Sequence, residues 1–249
     1  MIICNGMPKS GTGILMKCMG LMGFDNKPII FTRFWPDREV KATKTHTIED
    51  HNKNMFYRGH MAYVYPWDDV ITIFRDPRNA AVSWVRYFGH IKHGQGKYDW
   101  KETKTDLIAL ILRCGEPVGQ RGSFVQLYYS YLGWLDNGFC VFFEDICSDD
   151  GKTVKRIADK VGYKGDSMEV YEKLYGGAVH PAVHKDEKGR NLQAGWSTFT
   201  GKLSDWEKVW DDDIQRAWEM VSGDMLVYEF NRRLALSRGE VLDQKLVLK

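Results

Sequence analysis

The sequence of 249 residues lacks several features that would assign it to a structural class at once. No apolar run reaches the roughly 18 residues that cross a bilayer, and Ile108–Leu112 is typical of the short runs present. The five cysteines include no Cys-x-x-Cys pair, which disfavours a disulfide framework or a structural zinc site. Neither sign of charge predominates, with 35 Lys and Arg against 33 Asp and Glu. The cysteine usage and the lack of a membrane span predict a cytoplasmic protein with no membrane partner. A protein that coats a nucleic-acid duplex would usually be more basic, so no nucleic-acid partner is expected.

The composition indicates one globular unit. Hydrophobic residues make up 43% of the chain and charged residues 27%, which is typical of a protein with a buried core. No internal repeat or low-complexity linker divides the sequence. Residues Met1–Gly6 lack the charged start and the cleavage site of a secretory signal peptide. We therefore expect residues 1–249 to form a single domain.

Short apolar segments alternate with helical patterns along the chain. Strands are predicted at Ile2–Asn5, Val70–Phe74 and Phe139–Phe143, with a further one, Phe56–His60, placed beside Val70–Phe74. Helices are predicted at residues 14–22, 78–88, 105–113, 123–135 and 152–161, the last with an acidic cap at Asp149 or Asp150. This alternation predicts an α/β fold with a central, mainly parallel β-sheet flanked by helices.

The loop Gly6–Gly13, between the first strand and the first helix, carries the residues best suited to binding an anion. Its glycines let backbone N–H groups close around a phosphate or sulfate, and the following helix presents a positive N-terminal end. Ser10 and Thr12 offer hydroxyls, and Lys9 offers a mobile positive charge. A plain strand-to-helix turn is the alternative. The Walker A pattern does not fit, because the lysine precedes the second glycine.

The order Pro-Lys-Ser-Gly-Thr in this loop resembles the 5′-phosphosulfate-binding loop of the sulfotransferases that use 3′-phosphoadenosine 5′-phosphosulfate (PAPS). In that family the lysine contacts the phosphosulfate bridge. This sequence departs from the family at Gly13 and Ile14, where a second Thr and a nearby Trp that stacks on the adenine are common. The resemblance implies the cofactor-binding residues Lys9, Ser10, Gly11, Thr12, Gly13 and Ile14.

A second resemblance lies in the segment from Ile73 to Trp84. The family's 3′-phosphate motif is a strand, an Arg, and a helix with a Ser eight positions later; Arg75 and Ser83 hold these places. A guanidinium at the carboxyl end of a strand can bind a phosphate through two hydrogen bonds, and a hydroxyl two turns into the helix can reach the same group. Taken alone, the pair also fits a surface arginine and an ordinary helix serine.

Two further segments resemble the family less closely. Gly189 and Arg190, before a Gly-Trp pair, are similar to a C-terminal basic segment that covers the 3′-phosphate, although Asn191-Leu192 stand where Lys-Gly would follow. Phe143 replaces the tyrosine of the family's Tyr-Glu-Asp strand. The resemblance therefore adds Phe143, Gly189 and Arg190 to the expected cofactor contacts.

The resemblance implies a P-loop-NTPase-like sulfotransferase fold and an in-line transfer of the sulfuryl group of PAPS, with 3′-phosphoadenosine 5′-phosphate (PAP) as product and no metal. Lys9 would stabilise the charge that builds on the bridging oxygen. We expect the acceptor to be a hydroxyl of a small metabolite. The alternatives are a P-loop-like nucleotide kinase, which would need a lysine after the glycines, and a non-catalytic nucleotide-binding module. The oligomeric state is not predicted.

The reaction needs a base to take the acceptor's proton, and many family members use a histidine. We predict His60, because it ends a predicted strand at the sheet edge where ligands bind in open α/β folds. The competitor is His46, because Lys44-Thr45-His46 matches the triplet that carries the base in animal cytosolic members. The polar run after His46 indicates an exposed loop, which favours His60.

Two other groups are interpreted as structural. Trp206, Trp210 and Trp218 recur at helical spacing, which indicates core packing. The adjacent carboxylates of Asp211, Asp212 and Asp213 would point in different directions on a helix, so a helix start or a solvated face is expected in place of a metal site.

Overall fold

Among the described residues, five parallel strands form one sheet in the order β2–β3–β1–β4–β5. The computed structural model describes residues 2–33, 55–61, 63, 70–93, 100–113, 123–175 and 206–240. The strands are β1 (Ile2–Asn5), β2 (Asp25–Arg33), β3 (Met55–Met61), β4 (Val70–Phe74) and β5 (Phe139–Phe142). Because all pairs are parallel, the carboxyl ends of the strands share one edge.

Helices connect and cover the strands. They are α1 (Thr12–Leu21), α2 (Pro77–His93), α3 (Trp100–Arg113), α4 (Phe124–Asn137), α5 (Phe143–Ser148), α6 (Lys152–Val161), α7 (Ser167–Tyr175), α8 (Asp212–Met220) and α9 (Gly223–Ser237). Local sequence explains several boundaries. Pro77 opens α2, where its missing N–H costs nothing. Ser123 caps α4 by accepting the Gln126 N–H at 3.1 Å, while the Gln126 side chain accepts the Ser123 N–H at 3.0 Å.

The two faces of the sheet pack into separate hydrophobic cores. In β4, Val70 and Phe74 belong to one core, whereas Ile71 and Ile73 belong to the other. The first core contains residues of α2, α3, α4, α8 and α9, and the second contains residues of α1, α5, α6 and α7. A strand buried on both faces is mainly apolar, which is why β4 is hydrophobic at every position except Thr72, whose hydroxyl accepts a hydrogen bond from the Asn5 side-chain amide.

The predicted α/β class and central parallel sheet are confirmed, and so are the predicted helices, with shifts at their ends. The last strand is one residue shorter than predicted, because Phe143 begins α5. The predicted acidic cap of α6 is partly right. Gly151 occupies the cap position, while the Asp149 carboxylate accepts the Thr153 N–H at 2.7 Å. No helix in the described ranges is both long and apolar enough to cross a bilayer.

The sequence did not predict β2, and it predicted the wrong neighbour for β3. Strand β3 pairs with β1 and β2, so β1 lies between β3 and β4. Neighbours in a parallel sheet are joined by long crossover connections, which a local apolar pattern does not reveal. Pro28 lies within β2 at the point where its register with β3 is broken, between Asn26 and Ile30. A proline without an N–H is tolerated at such an irregularity in an outer strand.

The three tryptophans and the three aspartates that the sequence interpretation assigned to structural roles are confirmed in those roles. The rings of Trp206 and Trp210, and of Trp210 and Trp218, meet edge to face with centroids 5.5 and 5.4 Å apart. Of these three residues, Trp218 alone lies in an α-helix, and it is fully buried. Asp211 is the N-cap of α8 and accepts the Ile214 N–H at 3.1 Å, as expected for a helix start.

Candidate functional site

The loop Gly6–Gly13 and the segment after β4 lie side by side. Strands β1 and β4 are neighbours, with Asn5 level with Thr72. The buried Ser10 hydroxyl lies 2.7 Å from the Met7 carbonyl oxygen and 2.9 Å from the Ile73 carbonyl oxygen. Ser10 therefore connects the Gly6–Gly13 loop to the strand that ends before Arg75. Its hydroxyl is directed to the backbone, so it shapes the loop.

Two glycines make this packing possible. A Cβ on Gly6 would lie 2.6 Å from the Ser10 hydroxyl oxygen and 2.8 Å from the Ile73 carbonyl oxygen. Gly11 has φ +113°, and a Cβ there would lie 2.8 Å from Cδ2 of Phe143. Only glycine suits both positions without a shift of the backbone.

The loop leads into α1, whose N-terminus follows the carboxyl end of β1. Gly11 is the N-cap, and no side chain among the described residues caps this end. Uncapped N–H groups and the helix dipole together favour an anion at this point. Lys9 has a left-handed backbone, with φ 70°. Ile14 packs its side chain into the second core, and its N–H donates to the Gly11 carbonyl oxygen at 3.0 Å.

The backbone around Arg75 is held from two sides. The Tyr128 hydroxyl on α4 donates to the Arg75 carbonyl oxygen. The Asp76 N–H donates to Oε1 of Glu144, the second residue of α5, at 2.8 Å. The Arg75 guanidinium carbon lies 4.4 Å from the centroid of the Phe143 ring. These contacts fix the position of an arginine at the carboxyl end of β4.

The Asp76 carboxylate stabilises the turn between β4 and α2. Its Oδ1 accepts the Arg78 N–H at 2.8 Å and the Asn79 N–H at 3.3 Å. Its Oδ2 pairs with the Arg78 guanidinium at 2.8 Å. The Asn79 side-chain oxygen accepts the Trp206 N–H at 3.2 Å, so the chain reaches this turn again after residue 205. Ser83, half-buried, lies on the helix that begins here.

Glu144 is the titratable group most affected by its surroundings at this site. Burial raises its pKa from an ordinary 4.5 to about 7. The hydrogen bonds from the Asp76 N–H and from the N–H of Glu144 itself, together with the charge of Arg75, oppose that rise in pKa, and the charge of Asp76 adds to it. A carboxyl group in this position exchanges its proton near neutral pH.

Two more of the predicted site residues, His60 and Phe143, lie within the described residues. His60 lies in β3, paired with Thr32 of β2 and two residues beyond Arg58, which is level with Cys4 of β1. Its backbone is therefore at the same edge of the sheet as the Gly6–Gly13 loop, on the far side of β1 from Arg75. Phe143 is buried between Gly11 and Arg75. His46, Gly189 and Arg190 lie outside the described residues.

Sequence reasoning missed the groups that hold the Arg75 segment. Tyr128 was predicted only as part of a helix, and Glu144 only as one of an acidic pair after a strand. The one available signal was that Glu144 follows a strand at the ligand-binding edge. No group of three or more His, Cys, Asp or Glu within the described ranges has the arrangement of a metal site.

Comparisons with known proteins identify the fold. No protein-family model matches the sequence, and no curated protein matches it. Among the solved structures that match, the mouse sulfotransferase SULT7A1 complexed with PAP has a TM-score of 0.59 and 17% sequence identity. The match covers 88% of this chain and 81% of that chain. The chain therefore has the P-loop-like α/β fold of the sulfotransferases.

Proposed function

We propose that the protein is a sulfotransferase that uses PAPS as the sulfuryl donor. The observation that carries the proposal is the juxtaposition of two elements with the chemistry to bind anions, the Gly6–Gly13 loop and Arg75, which Ser10 links through the Ile73 carbonyl oxygen at 2.9 Å. PAPS carries two anionic groups, a phosphosulfate on the 5′ carbon of its ribose and a phosphate on the 3′ carbon. A fold shared with a PAP-bound sulfotransferase supports the same use of this edge.

Each anionic group has a proposed set of partners. The loop residues Lys9, Ser10, Gly11, Thr12, Gly13 and Ile14 would surround the 5′-phosphosulfate, mainly with backbone N–H groups at the start of α1. Arg75 and Ser83 would bind the 3′-phosphate. Phe143 would act through Arg75, since its ring lies under the guanidinium. Gly189 and Arg190 are assigned to the 3′-phosphate by the resemblance alone.

The proposed reaction is an in-line displacement at sulfur. The acceptor oxygen forms a bond to sulfur as the bond from sulfur to the bridging oxygen breaks, and PAP leaves. Lys9 stabilises the negative charge that develops on the bridging oxygen. His60, on β3 at the same edge of the sheet, takes the proton of the acceptor hydroxyl. The acceptor class we propose is a small hydroxylated metabolite.

The test compares ligands and then turnover. PAP should raise the melting temperature clearly more than ATP with Mg²⁺ or NADPH at equal concentration. With PAPS and a panel of small alcohols and phenols, the protein should release PAP together with a sulfated acceptor. A larger shift with ATP would indicate a nucleotide kinase. PAP binding without any sulfated product would indicate a non-catalytic nucleotide-binding module.

A further inference from the structure

The Glu144 carboxyl group has one oxygen in use and one without a partner. Oε1 accepts the Asp76 N–H at 2.8 Å. Oε2 is buried and has no hydrogen-bond partner among the described residues. Burying a carboxylate oxygen without a donor is unfavourable, whereas a protonated oxygen removes the charge. The geometry therefore suits a carboxyl group that is positioned by Oε1 and protonated on Oε2.

The charged and titratable groups around Glu144 come from the elements packed against it. From the β4–α2 turn these are Arg75 and Asp76, and from α4 the group is Tyr128. Asp76 is already paired with Arg78. On α5, the neighbouring Asp145 accepts a hydrogen bond from Nε of Arg238 at 3.0 Å. Arg75 is thus the cation whose charge acts on Glu144 most directly.

We propose that Glu144 is a positioning residue for the Arg75–Asp76 peptide and that it takes up a proton from solvent when an anion binds at Arg75. The anion site would then bind phosphate and proton together. This inference rests on the proposed function, in which Arg75 binds the 3′-phosphate of PAPS and PAP.

The two roles of Glu144 are compatible because they use different oxygens. Protonation of Oε2 leaves Oε1 free to accept the Asp76 N–H, so the peptide stays in place. Ionised Glu144 opposes the positive potential of Arg75 and repels a second anion placed there. A bound phosphate favours the neutral acid for the same reason. With a pKa near 7 in the free protein, this exchange occurs in the physiological range.

The experiment measures PAP affinity between pH 6 and pH 8.5 for the wild type, Glu144→Gln and Asp145→Asn. Gln keeps an oxygen that can accept the Asp76 N–H but cannot ionise. The PAP affinity of the wild type should fall relative to Glu144→Gln by roughly three- to tenfold over this range. The titration of the PAP phosphates is common to all three proteins and cancels in the ratio. Asp145→Asn should follow the wild type.

A second measurement uses the unmodified protein, so that the test does not depend on the variant's folding. Calorimetry of PAP binding at pH 7 in two buffers of different ionisation enthalpy reports the protons exchanged. We expect net uptake, which should be smaller with adenosine 5′-monophosphate because it lacks the 3′-phosphate. Equal pH dependence of the wild type and Glu144→Gln, or no proton uptake with PAP, overturns this inference alone. Failure of the wild type to bind PAP at all overturns the proposed function as well.

Discussion

Lys9 combines a positive charge with a backbone conformation that lysine rarely adopts, φ 70°. Lys9→Ala should lower the turnover of sulfuryl transfer by about a thousandfold or more, because the developing charge loses its cation. Lys9→Arg should restore only part of the rate, since a planar guanidinium differs in shape from an ammonium group.

Lys9→Gly separates the charge of Lys9 from its backbone conformation, because glycine adopts the left-handed conformation readily. We expect it to be as inactive as alanine, while Lys17→Ala on α1 should keep the wild-type rate. A rapid Lys9→Gly enzyme would disprove the role of the ammonium group.

Arg75 is the residue that should distinguish ligands with a 3′-phosphate from those without one. Arg75→Ala should weaken PAP binding by about 2–4 kcal/mol, the cost typical of losing a buried charged contact. Binding of adenosine 5′-phosphosulfate, which lacks the 3′-phosphate, should change far less. Arg75→Lys should give an intermediate loss, because the charge remains and the two-pronged geometry is lost. Equal weakening of both ligands would show that Arg75 contacts some other part of the nucleotide. Titration calorimetry gives all of these values.

His60 is tested by its effect on the rate and on the pH profile. His60→Ala should reduce turnover by roughly a hundredfold or more and leave PAP affinity nearly unchanged. The acidic limb of the pH–rate profile, near the ordinary histidine pKa of about 6.5, should disappear in this variant. His46→Ala should have a mild effect. An inactive His46→Ala and an active His60→Ala would instead assign the base to the Lys44-Thr45-His46 triplet.

Among the elements, the turn from β1 into α1 leaves no room for a side chain at Gly6. Gly6→Ala should shift the loop, because the new methyl group would meet the Ser10 hydroxyl oxygen and the Ile73 carbonyl oxygen at less than van der Waals distance. We expect a loss of about 1–3 kcal/mol in the free energy of unfolding, together with weaker PAP binding. The matched control is Gly20→Ala in α1, where an added Cβ meets nothing within 4 Å. That change should stabilise the protein by up to about 1 kcal/mol, because alanine favours helix more than glycine does. Urea unfolding measures both.

The sequence predicted correctly those parts of the fold in which a strand, its loop and the next helix follow one another directly along the chain. Strand β1, its loop and α1 follow one another directly, as do β4, Arg75 and α2, so each unit showed its pattern and its polar residues together. Strand β2 begins with Asp25-Asn26-Lys27-Pro28, which has no period-two pattern, and its place in the sheet depends on pairing with β3. Tyr128 and Glu144 reach the Arg75–Asp76 segment from 53 and 68 residues away. Contacts of that kind arise from packing, and the sequence indicated only that Glu144 follows a strand.

At the scale of the whole molecule, Glu144 should make stability depend on pH. Its pKa is about 7 in the folded protein and near 4.5 when unfolded. Folding is therefore favoured below about pH 4.5 by this group, and that contribution is lost as the pH rises through 7. Relative to Glu144→Gln, the wild type should lose about 2–3 kcal/mol of unfolding free energy between pH 5 and pH 8. Asp145→Asn should retain the wild-type trend. The measurement is urea unfolding of both proteins at several pH values. If their unfolding free energies changed equally between pH 5 and pH 8, Glu144 would not be a buried ionisable carboxyl group.

Strand β1 lies in the middle of the sheet, although its partners come much later in the chain. The Asn5 side-chain amide donates to the Thr72 hydroxyl, 67 residues away, at 3.3 Å. Closing so long a loop costs chain entropy before any pairing is gained, which slows folding of parallel sheets. During synthesis on the ribosome, β1 must wait as an unpaired apolar segment until β3 and β4 have emerged. A nascent chain that ends before Val70 contains every residue of the Gly6–Gly13 loop but lacks β4, whose Ile73 carbonyl oxygen accepts the Ser10 hydroxyl and so helps to give that loop its shape.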